Sequence, residues 1–238
     1  MTAAHCIKEY DTKDTIKVVL GSSRRARFFY YRWQCRSLRQ IVIHPQWNKD
    51  TVDYDFALLQ LRDIANLEPN EVWPICIPTE YAESYSRQNA TVVGWGNRPN
   101  RRWWQRKKQL QELKVRIIPQ ILCGRAWRRI EVGDPQVCFT SHGSACHGDS
   151  GGGMYLTHGQ GEQEYKELIG VCSYGRSDCS NEAPEVYAKV SSVLDWIKET
   201  VGGSKLNMER CGITNPRDRD SETWRDRVRD WLKGRQAY

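Results

Sequence analysis

The chain has 238 residues, of which 39% are apolar and 27% are charged, and its formal net charge is +7. A mean hydropathy of −0.71 and short apolar runs predict a soluble protein and exclude a membrane-spanning helix. The length suits one large domain or two small ones. The first residues, MTAAHCIKEY, lack the basic and apolar regions of a signal peptide.

Short β-rich runs separated by Gly, Pro and Asn occupy most of residues 14–200. In chain order the predicted strands are TIKVVLG, QIVIHP, FALLQLR, ATVVGWG, KVRIIP, KELIGVCSYG and VYAKV. Long helical periodicity is absent there, which favours an all-β barrel or sandwich. A helix is predicted over residues 193–203, where two glycines follow apolar residues at helical spacing.

The last residues differ in composition from the rest, so we predict a main domain over residues 1–203 and a charged extension over 204–238. Within the extension, residues 220–234 place apolar side chains on one helical face. Packing of this helix on the main domain is the favoured interpretation, and binding to a partner is the alternative. Its mixed Arg and Asp face argues against a membrane surface.

The excess positive charge lies in two stretches. Residues 22–39 hold six basic residues and no acidic one, and residues 97–108 also hold six and none. Such stretches are compatible with binding of acidic protein segments or of a sulfated, heparin-like polyanion. The alternative is a solvated charged loop.

Nine cysteines are many for a cytosolic chain of this size. They predict a disulfide-bearing protein from an oxidising compartment, and therefore a secreted or extracellular one. That setting makes nucleic acid a disfavoured partner for the basic stretches. Because nine is odd, at least one thiol is free, intermolecular or without its partner.

Three motifs bear on catalysis. In GDSGG, glycines around Ser150 permit a tight turn with exposed backbone N–H groups, although the pentapeptide by itself could be only a turn. TAAHC contains His5, which taken singly fits an ordinary surface histidine. DYDFALLQL places Asp55 at the mouth of an apolar strand, where burial is costly unless an imidazole N–H uses the carboxylate. Taken singly, Asp55 fits a strand cap.

In the order His, Asp, Ser, the three motifs resemble the chymotrypsin/trypsin family of serine proteases over roughly residues 2–200. The resemblance implies two six-stranded antiparallel β-barrels, the N-terminal one incomplete, followed by a C-terminal helix and here a helical tail. It implies a serine endopeptidase that works through an acyl-enzyme, without metal or other cofactor. The open alternative is an inactive protease homologue that binds a partner or polyanion.

The resemblance gives each motif residue a role. Ser150 is the nucleophile, His5 is the general base and then the general acid, and Asp55 orients His5. The backbone N–H groups of Gly148 and Ser150 form the oxyanion hole. Ser173, in the segment VCSYG, bonds the triad aspartate.

The resemblance also outlines the substrate site. Tyr174 and Gly175 pair with the substrate backbone as an added strand. Ser144 is the floor of the specificity pocket, where trypsin-like members have an aspartate. Glu185, in PEVY, replaces a pocket glycine and is expected to pair with a substrate Lys or Arg, which favours a basic or mixed basic/aromatic preference. Shortening the pocket or turning into solvent are the alternatives for this side chain.

Two disulfide bridges are implied by the family pattern: Cys146–Cys179 and Cys123–Cys138. Cys76 lies where two-chain family members tether a light chain or pro-segment, and Cys211 is its alternative partner. Cys6 normally pairs with a cysteine upstream of the histidine motif, and Cys35 has no obvious partner. The small apolar Cys172 is compatible with a contact to the pocket wall.

Family members carry further strands before the histidine motif. Their N-terminal amine, freed by cleavage, pairs with the acid before the nucleophile, which here is Asp149. We therefore interpret the chain as a truncated form of a longer secreted protease made as a zymogen. The sequon at residues 89–91 predicts a glycoprotein. No calcium site is expected in residues 22–39, because no acid remains there.

Overall fold

The computed structural model describes residues 1–24, 33–68, 71–97, 109–127, 132–161 and 164–202. Its strands and helices, in chain order, are β1 (Lys17–Leu20), β2 (Gln34–Ile43), β3 (Ala57–Leu61), β4 (Asn89–Gly94), β5 (Gln111–Ile118), α1 (Gln120–Ala126), β6 (Gln136–Thr140), β7 (Gly153–His158), β8 (Tyr165–Tyr174), β9 (Glu185–Lys189) and α2 (Leu194–Val201). Single 3₁₀ turns cover Ala4–Cys6 and Val190–Val193.

The strands form two sheets. Strands β4-β5-β6-β9-β8-β7 close into a six-stranded antiparallel barrel, and β1-β2-β3 form an open three-stranded sheet. The all-β prediction, with one complete and one incomplete barrel, is confirmed. Each half supplies part of the candidate site, since His5 and Asp55 lie in the N-terminal part and Ser150 precedes β7.

Strand β5 shows the alternation of buried and exposed side chains that is typical of a barrel wall. Along β5, Val115 and Ile117 are buried, whereas Lys114 and Arg116, which alternate with them, are exposed. β9 is buried at every position, and its Tyr187 packs against Phe139 of β6 with ring centroids 5.4 Å apart. These two rings are fully buried side chains of the barrel core.

Phe139→Ala is expected to lower the free energy of unfolding by about 3–5 kcal/mol, because it leaves a cavity in a close-packed core. Urea denaturation at equilibrium measures this loss. Phe139→Leu is the matched control and should cost less than half as much, because most of the apolar volume remains. Equal losses for both variants would contradict a packing role for the Phe139 ring.

Three elements were not predicted from the sequence: α1, β6 and β7. β6 is a five-residue strand with no alternating pattern, because Gln136 to Phe139 are all buried. β7 begins with glycine directly after the GDSGG turn, and α1 contains Gly124. The predicted C-terminal helix is confirmed as α2, which ends at Val201 and is followed by Gly202 in a left-handed conformation with φ of 73°.

Several predictions fall on residues outside the described part of the chain. These are the tail helix over 220–234, residues 25–32 of the basic stretch 22–39, and nearly all of 97–108. Among the described helices, none is both long and apolar enough to cross a bilayer.

Candidate active site

A buried carboxylate organises the centre of the site. Asp55 has no solvent-exposed surface. Its Oδ1 accepts a hydrogen bond from the backbone N–H of His5 at 2.9 Å, and its Oδ2 lies 2.7 Å from His5 Nδ1. Ser173 Oγ donates to the same Oδ2 at 2.6 Å. These bonds satisfy the buried carboxylate, and its hydrogen bond to the imidazole raises the pKa of His5 above the ordinary value.

A β-bulge aims the Ser173 side chain at Asp55. The pairing of β8 with β9 runs from Cys172↔Tyr187 directly to Tyr174↔Val186, so Ser173 is the extra residue. A bulge redirects a side chain relative to the regular alternation of its strand. Ser173 is accordingly buried and reaches a carboxylate that belongs to the other half of the molecule.

Close backbone packing fixes the turn that carries Ser150. Gly151 N–H donates to Cys172 O at 2.9 Å, and Cys172 N–H donates to Gly152 O at 2.8 Å. A Cβ on Gly151 would lie 2.2 Å from Thr2 Oγ1, and one on Gly152 would lie 2.8 Å from the Asp149 carbonyl oxygen. Both positions therefore require glycine, and the turn is bound to β8.

Ser150 itself is exposed at this turn. No hydrogen bond joins its Oγ to His5 within the part of the chain that the structure describes. Instead, His5 Nε2 lies 3.7 Å from Cys6 Sγ. Neither Gly148 N–H nor Ser150 N–H donates to an acceptor among the described residues, so both remain available to a ligand. Gly148 has a φ of 102°, in the region that favours glycine.

Glu185 turns into the predicted pocket. Its side chain is only 5% exposed and accepts a hydrogen bond from Ser144 Oγ. A Cβ on Gly175 would lie 2.0 Å from Glu185 Oε2, so the carboxylate also lies against the opposite wall. Burial raises the pKa of Glu185 to about 7, and the nearby Asp149 adds to the increase. The alternative in which Glu185 points into solvent is therefore wrong.

Asp149, the residue before Ser150, borders a cavity of about 350 Å³. Its Oδ1 accepts a hydrogen bond from Gly96 N–H at 2.7 Å, and its Oδ2 accepts one from Cys146 N–H at 2.9 Å. The cavity wall also includes Asn97 and Ser144. Two backbone donors thus hold the carboxylate beside a space large enough for a small group.

Two disulfides brace the surroundings: Cys123–Cys138 and Cys146–Cys179. Cys76 is also disulfide-bonded in this single chain, which gives no support to a tether through Cys76 to a separate light chain. Within the described residues, Cys6, Cys35 and Cys172 carry free thiols. Cys172 is buried beside Tyr187, and burial raises the pKa of its thiol to about 12, which disfavours the reactive thiolate.

The geometry above agrees with a comparison against protein-family models. The trypsin family model matches residues 1–197. This chain belongs to the trypsin family. The match covers the open sheet, the closed barrel and part of α2, and it includes the His5, Asp55 and Ser150 motifs.

Individual trypsin-family relatives show the same extent of similarity. Coagulation factor XI of Bos taurus is 31% identical over 212 residues, which cover 85% of this chain but 32% of that protein. Serine protease 28 of Mus musculus is 31% identical over 211 residues, covering 84% of this chain and 73% of that protein. Trypsin 5G1 of Aedes aegypti is 33% identical over 206 residues, covering 85% and 71%. The chain therefore spans about a third of the factor XI relative.

Sequence reasoning missed the residues that support the Asp55 loop. His44 is 5% exposed and its ring contacts Tyr54 and Trp196. Gln136, 2% exposed, reaches from β6 to the backbone of Val52. The sequence signal for this cluster is the dipeptide His44-Pro45 after β2. It does not indicate which aromatic rings His44 contacts.

Proposed function

We propose that this trypsin-family chain is a serine endopeptidase that cleaves peptide bonds with Ser150 as the nucleophile. The observation that carries the proposal is the fully buried Asp55 carboxylate, whose two oxygens hold His5 and Ser173. A buried carboxylate is costly unless its partners use it, and the Nδ1 proton of an imidazole base is such a partner.

The proposed reaction has two halves. His5 Nε2 takes the proton of Ser150 Oγ as the oxygen attacks the substrate carbonyl carbon, and the carbonyl oxygen becomes an oxyanion. The N–H groups of Gly148 and Ser150 stabilise that charge. His5 then gives its proton to the leaving amine, which departs as the C–N bond breaks. Water attacks the resulting ester in the same way, which releases the acid and restores Ser150.

The substrate backbone is proposed to bind beside the end of β8. Strand β7 pairs with β8 only as far as Gly153↔Val171, so the last residues of β8 have no β7 neighbour. Tyr174 and Gly175 therefore offer backbone groups to an extended peptide, which would add as an antiparallel strand. This arrangement places the side chain before the cleaved bond next to Ser144 and Glu185.

Glu185 is proposed to set a preference for basic, or mixed basic and aromatic, side chains in this pocket. Its carboxylate contacts Ser144 at the predicted floor and Gly175 at the wall. A substrate guanidinium or ammonium group that takes the place of Ser144 would form a charge-assisted hydrogen bond with the Glu185 carboxylate. When protonated, Glu185 offers no charge to a cation, and an aromatic ring is then the better ligand.

Activation is proposed to depend on Asp149. Its carboxylate borders the 350 Å³ cavity and has only backbone N–H donors as partners among the described residues. A primary amine placed in the cavity would form an ion pair with it, as the family resemblance implies for the amine that cleavage frees. A secreted, glycosylated zymogen fits this proposal, and Asn89 of the sequon is exposed at the start of β4.

Binding of a heparin-like polyanion or an acidic protein to residues 22–39 and 97–108 remains a prediction, as does the domain boundary at residue 203. Residues 25–32 and 98–108 lie outside the described part of the chain. The alternative of an inactive, partner-binding homologue is decided by the experiment below.

A fluorophosphonate that reacts with activated serine tests the proposal. After activating cleavage of the protein, we expect stoichiometric labelling, with the modification located on Ser150 by peptide mass spectrometry. Ser150→Ala is the control and should lose the label. Absence of labelling in the cleaved wild-type protein, or labelling that persists in Ser150→Ala, would contradict a catalytic role for this serine and favour the inactive homologue.

A further inference from the structure

The loop before Asp55 adopts an unusual backbone conformation. Val52 and Tyr54 both have positive φ, at 59° and 52°. Left-handed backbone is uncommon outside glycine, and for a β-branched residue such as valine it is a genuine outlier. Such strain persists only where surrounding contacts over-determine the local structure. The contacts that hold Val52 and Tyr54 in this conformation therefore bear on the function of the loop.

Polar contacts close the loop at its base and on one side. His44 N–H donates to Phe56 O at 2.9 Å, which joins the two ends of the loop. The side-chain amide of Gln136 donates to Val52 O at 3.3 Å. Gln136 belongs to the closed barrel, so the second half of the molecule fixes the first of the two left-handed residues.

An aromatic stack holds the second left-handed residue. The rings of His44 and Tyr54 are parallel within 6°, with centroids 4.9 Å apart. Trp196, on α2, packs edge-on against His44 at 4.6 Å. His44 Nδ1 accepts a hydrogen bond from Gln46 N–H at 3.2 Å, which suits the neutral imidazole. Burial lowers the pKa of His44, so the ring stays neutral in the stack.

The stack is directly connected to the catalytic carboxylate. Phe56 N–H donates to Tyr54 O at 2.7 Å, which makes Asp55 the central residue of a three-residue turn. The Asp55 carboxylate must meet His5 and Ser173 at once, at 2.7 Å and 2.6 Å. A shift of Tyr54 would therefore break at least one of these contacts.

We propose that His44, Tyr54 and Trp196 are positioning residues, whose stack holds the left-handed Tyr54 and thereby sets the Asp55 carboxylate against His5. The role extends the proposed function, since it matters for catalysis only if His5 is the base. It also makes the C-terminal helix α2 part of the catalytic support. A misplacement of the order of 1 Å in such a constellation costs up to about 10²-fold in rate.

Three substitutions of Tyr54 separate the ring from the backbone. Tyr54→Phe keeps both and should retain kcat within about twofold. Tyr54→Asn tolerates positive φ but lacks the ring, and should lower kcat about tenfold. Tyr54→Val loses the ring and disfavours positive φ, and should lower kcat between about tenfold and 10²-fold with KM within about twofold.

The chain offers a matched control for loss of a stacked tyrosine. His158 and Tyr165 also stack, with centroids 4.8 Å apart, on the β7–β8 hairpin away from the site. Tyr165→Val should lower the thermal midpoint by an amount similar to Tyr54→Val but leave kcat unchanged. If Tyr54→Val does not fold, Tyr54→Asn and Trp196→Leu take its place in the comparison.

A proton NMR measurement reports the His5–Asp55 bond without turnover. The Nδ1 proton of a histidine bonded to a carboxylate resonates far downfield, and Tyr54→Val should weaken or remove this signal while Tyr165→Val and Tyr54→Phe keep it. An unchanged signal together with unchanged kcat in Tyr54→Val and Tyr54→Asn would overturn the proposal, as would equal losses in Tyr165→Val. If the wild-type protein shows the signal but no turnover, the proposed function fails, and the NMR comparison still decides the positioning role.

Discussion

Asp55→Asn is expected to lower kcat by about 10⁴-fold, the loss associated with an imidazole held in the wrong tautomer. The asparagine amide would present an N–H group to His5 Nδ1, where the carboxylate now lies 2.7 Å away. The ring would then carry its proton on Nε2, and that nitrogen could not accept the proton of Ser150. Steady-state kinetics on protein quantified by serine titration measures the change.

The pH dependence of Asp55→Asn distinguishes this cause from a change in protonation. The carboxylate raises the pKa of His5, so its removal should shift the ascending limb of kcat/KM towards lower pH. His5 would therefore be neutral over a wider pH range, yet the rate would remain low because the tautomer is wrong. A rate that recovers fully at higher pH would contradict this explanation.

Asp53→Asn is the matched control for charge loss in the same loop. The Asp53 carboxylate lies 3.4 Å from the Gln136 amide, and an asparagine there keeps an acceptor oxygen. We expect kcat within about threefold of the wild type. Comparable losses in Asp53→Asn and Asp55→Asn would show that the loop tolerates no change in charge, and would remove the case for Asp55 as the orienting residue.

The sequence predicted those parts of the site that depend on short motifs. GDSGG requires glycine at positions 151 and 152, because a Cβ there would meet Thr2 and the Asp149 carbonyl. This requirement is why the motif can be recognised from the sequence. The role of Asp55 could be predicted for a similar reason, since an acid beside an apolar strand needs a hydrogen-bond partner. Both signals arise from local constraints within a few residues.

Side-chain orientations that depend on contacts between distant segments could not be predicted from the sequence. The direction of Glu185 is decided by Ser144 and Gly175, and the bulge at Ser173 becomes visible only when β8 pairs with β9. The stack of His44 on Tyr54 and Trp196 joins two loop residues to the C-terminal helix. In each case the orientation of the side chain depends on a neighbour that is distant in the sequence.

Glu185→Gln is expected to lower kcat/KM for substrates with Arg or Lys before the cleaved bond by roughly 10²- to 10³-fold at pH 8, because a buried cation would lose its charge partner, a cost of about 3–4 kcal/mol. Substrates with Phe or Tyr at that position should change by less than about threefold. A panel of matched peptides that differ only at this residue measures the ratio. Glu182→Gln, at an exposed acid paired with Arg176, is the control with the same change in charge and should leave the ratio unaltered.

The same carboxylate predicts a preference that depends on pH. The pKa of Glu185 is raised to about 7, so the group is neutral at pH 6 and ionised at pH 8 in the free protein. The ratio of kcat/KM for arginine over tyrosine substrates should therefore rise as pH increases through about 7, and the titration of His5 cancels from this ratio. A ratio that is flat between pH 6 and pH 8.5 would contradict the role of Glu185.

Stability provides a readout of Glu185 that does not require turnover. Its pKa in the folded protein lies above the ordinary value of 4.5, so the unfolded chain releases this proton first as pH rises. The contribution of Glu185 to folding is therefore complete below about pH 4.5 and is lost as pH rises through about 7. Glu185→Gln should be stabilised relative to the wild type at pH 8 and much less so at pH 5, whereas Glu182→Gln should show no such difference. Because desolvation causes this effect, the burial that weakens the fold at pH 8 is also the property on which the proposed preference for a basic side chain depends.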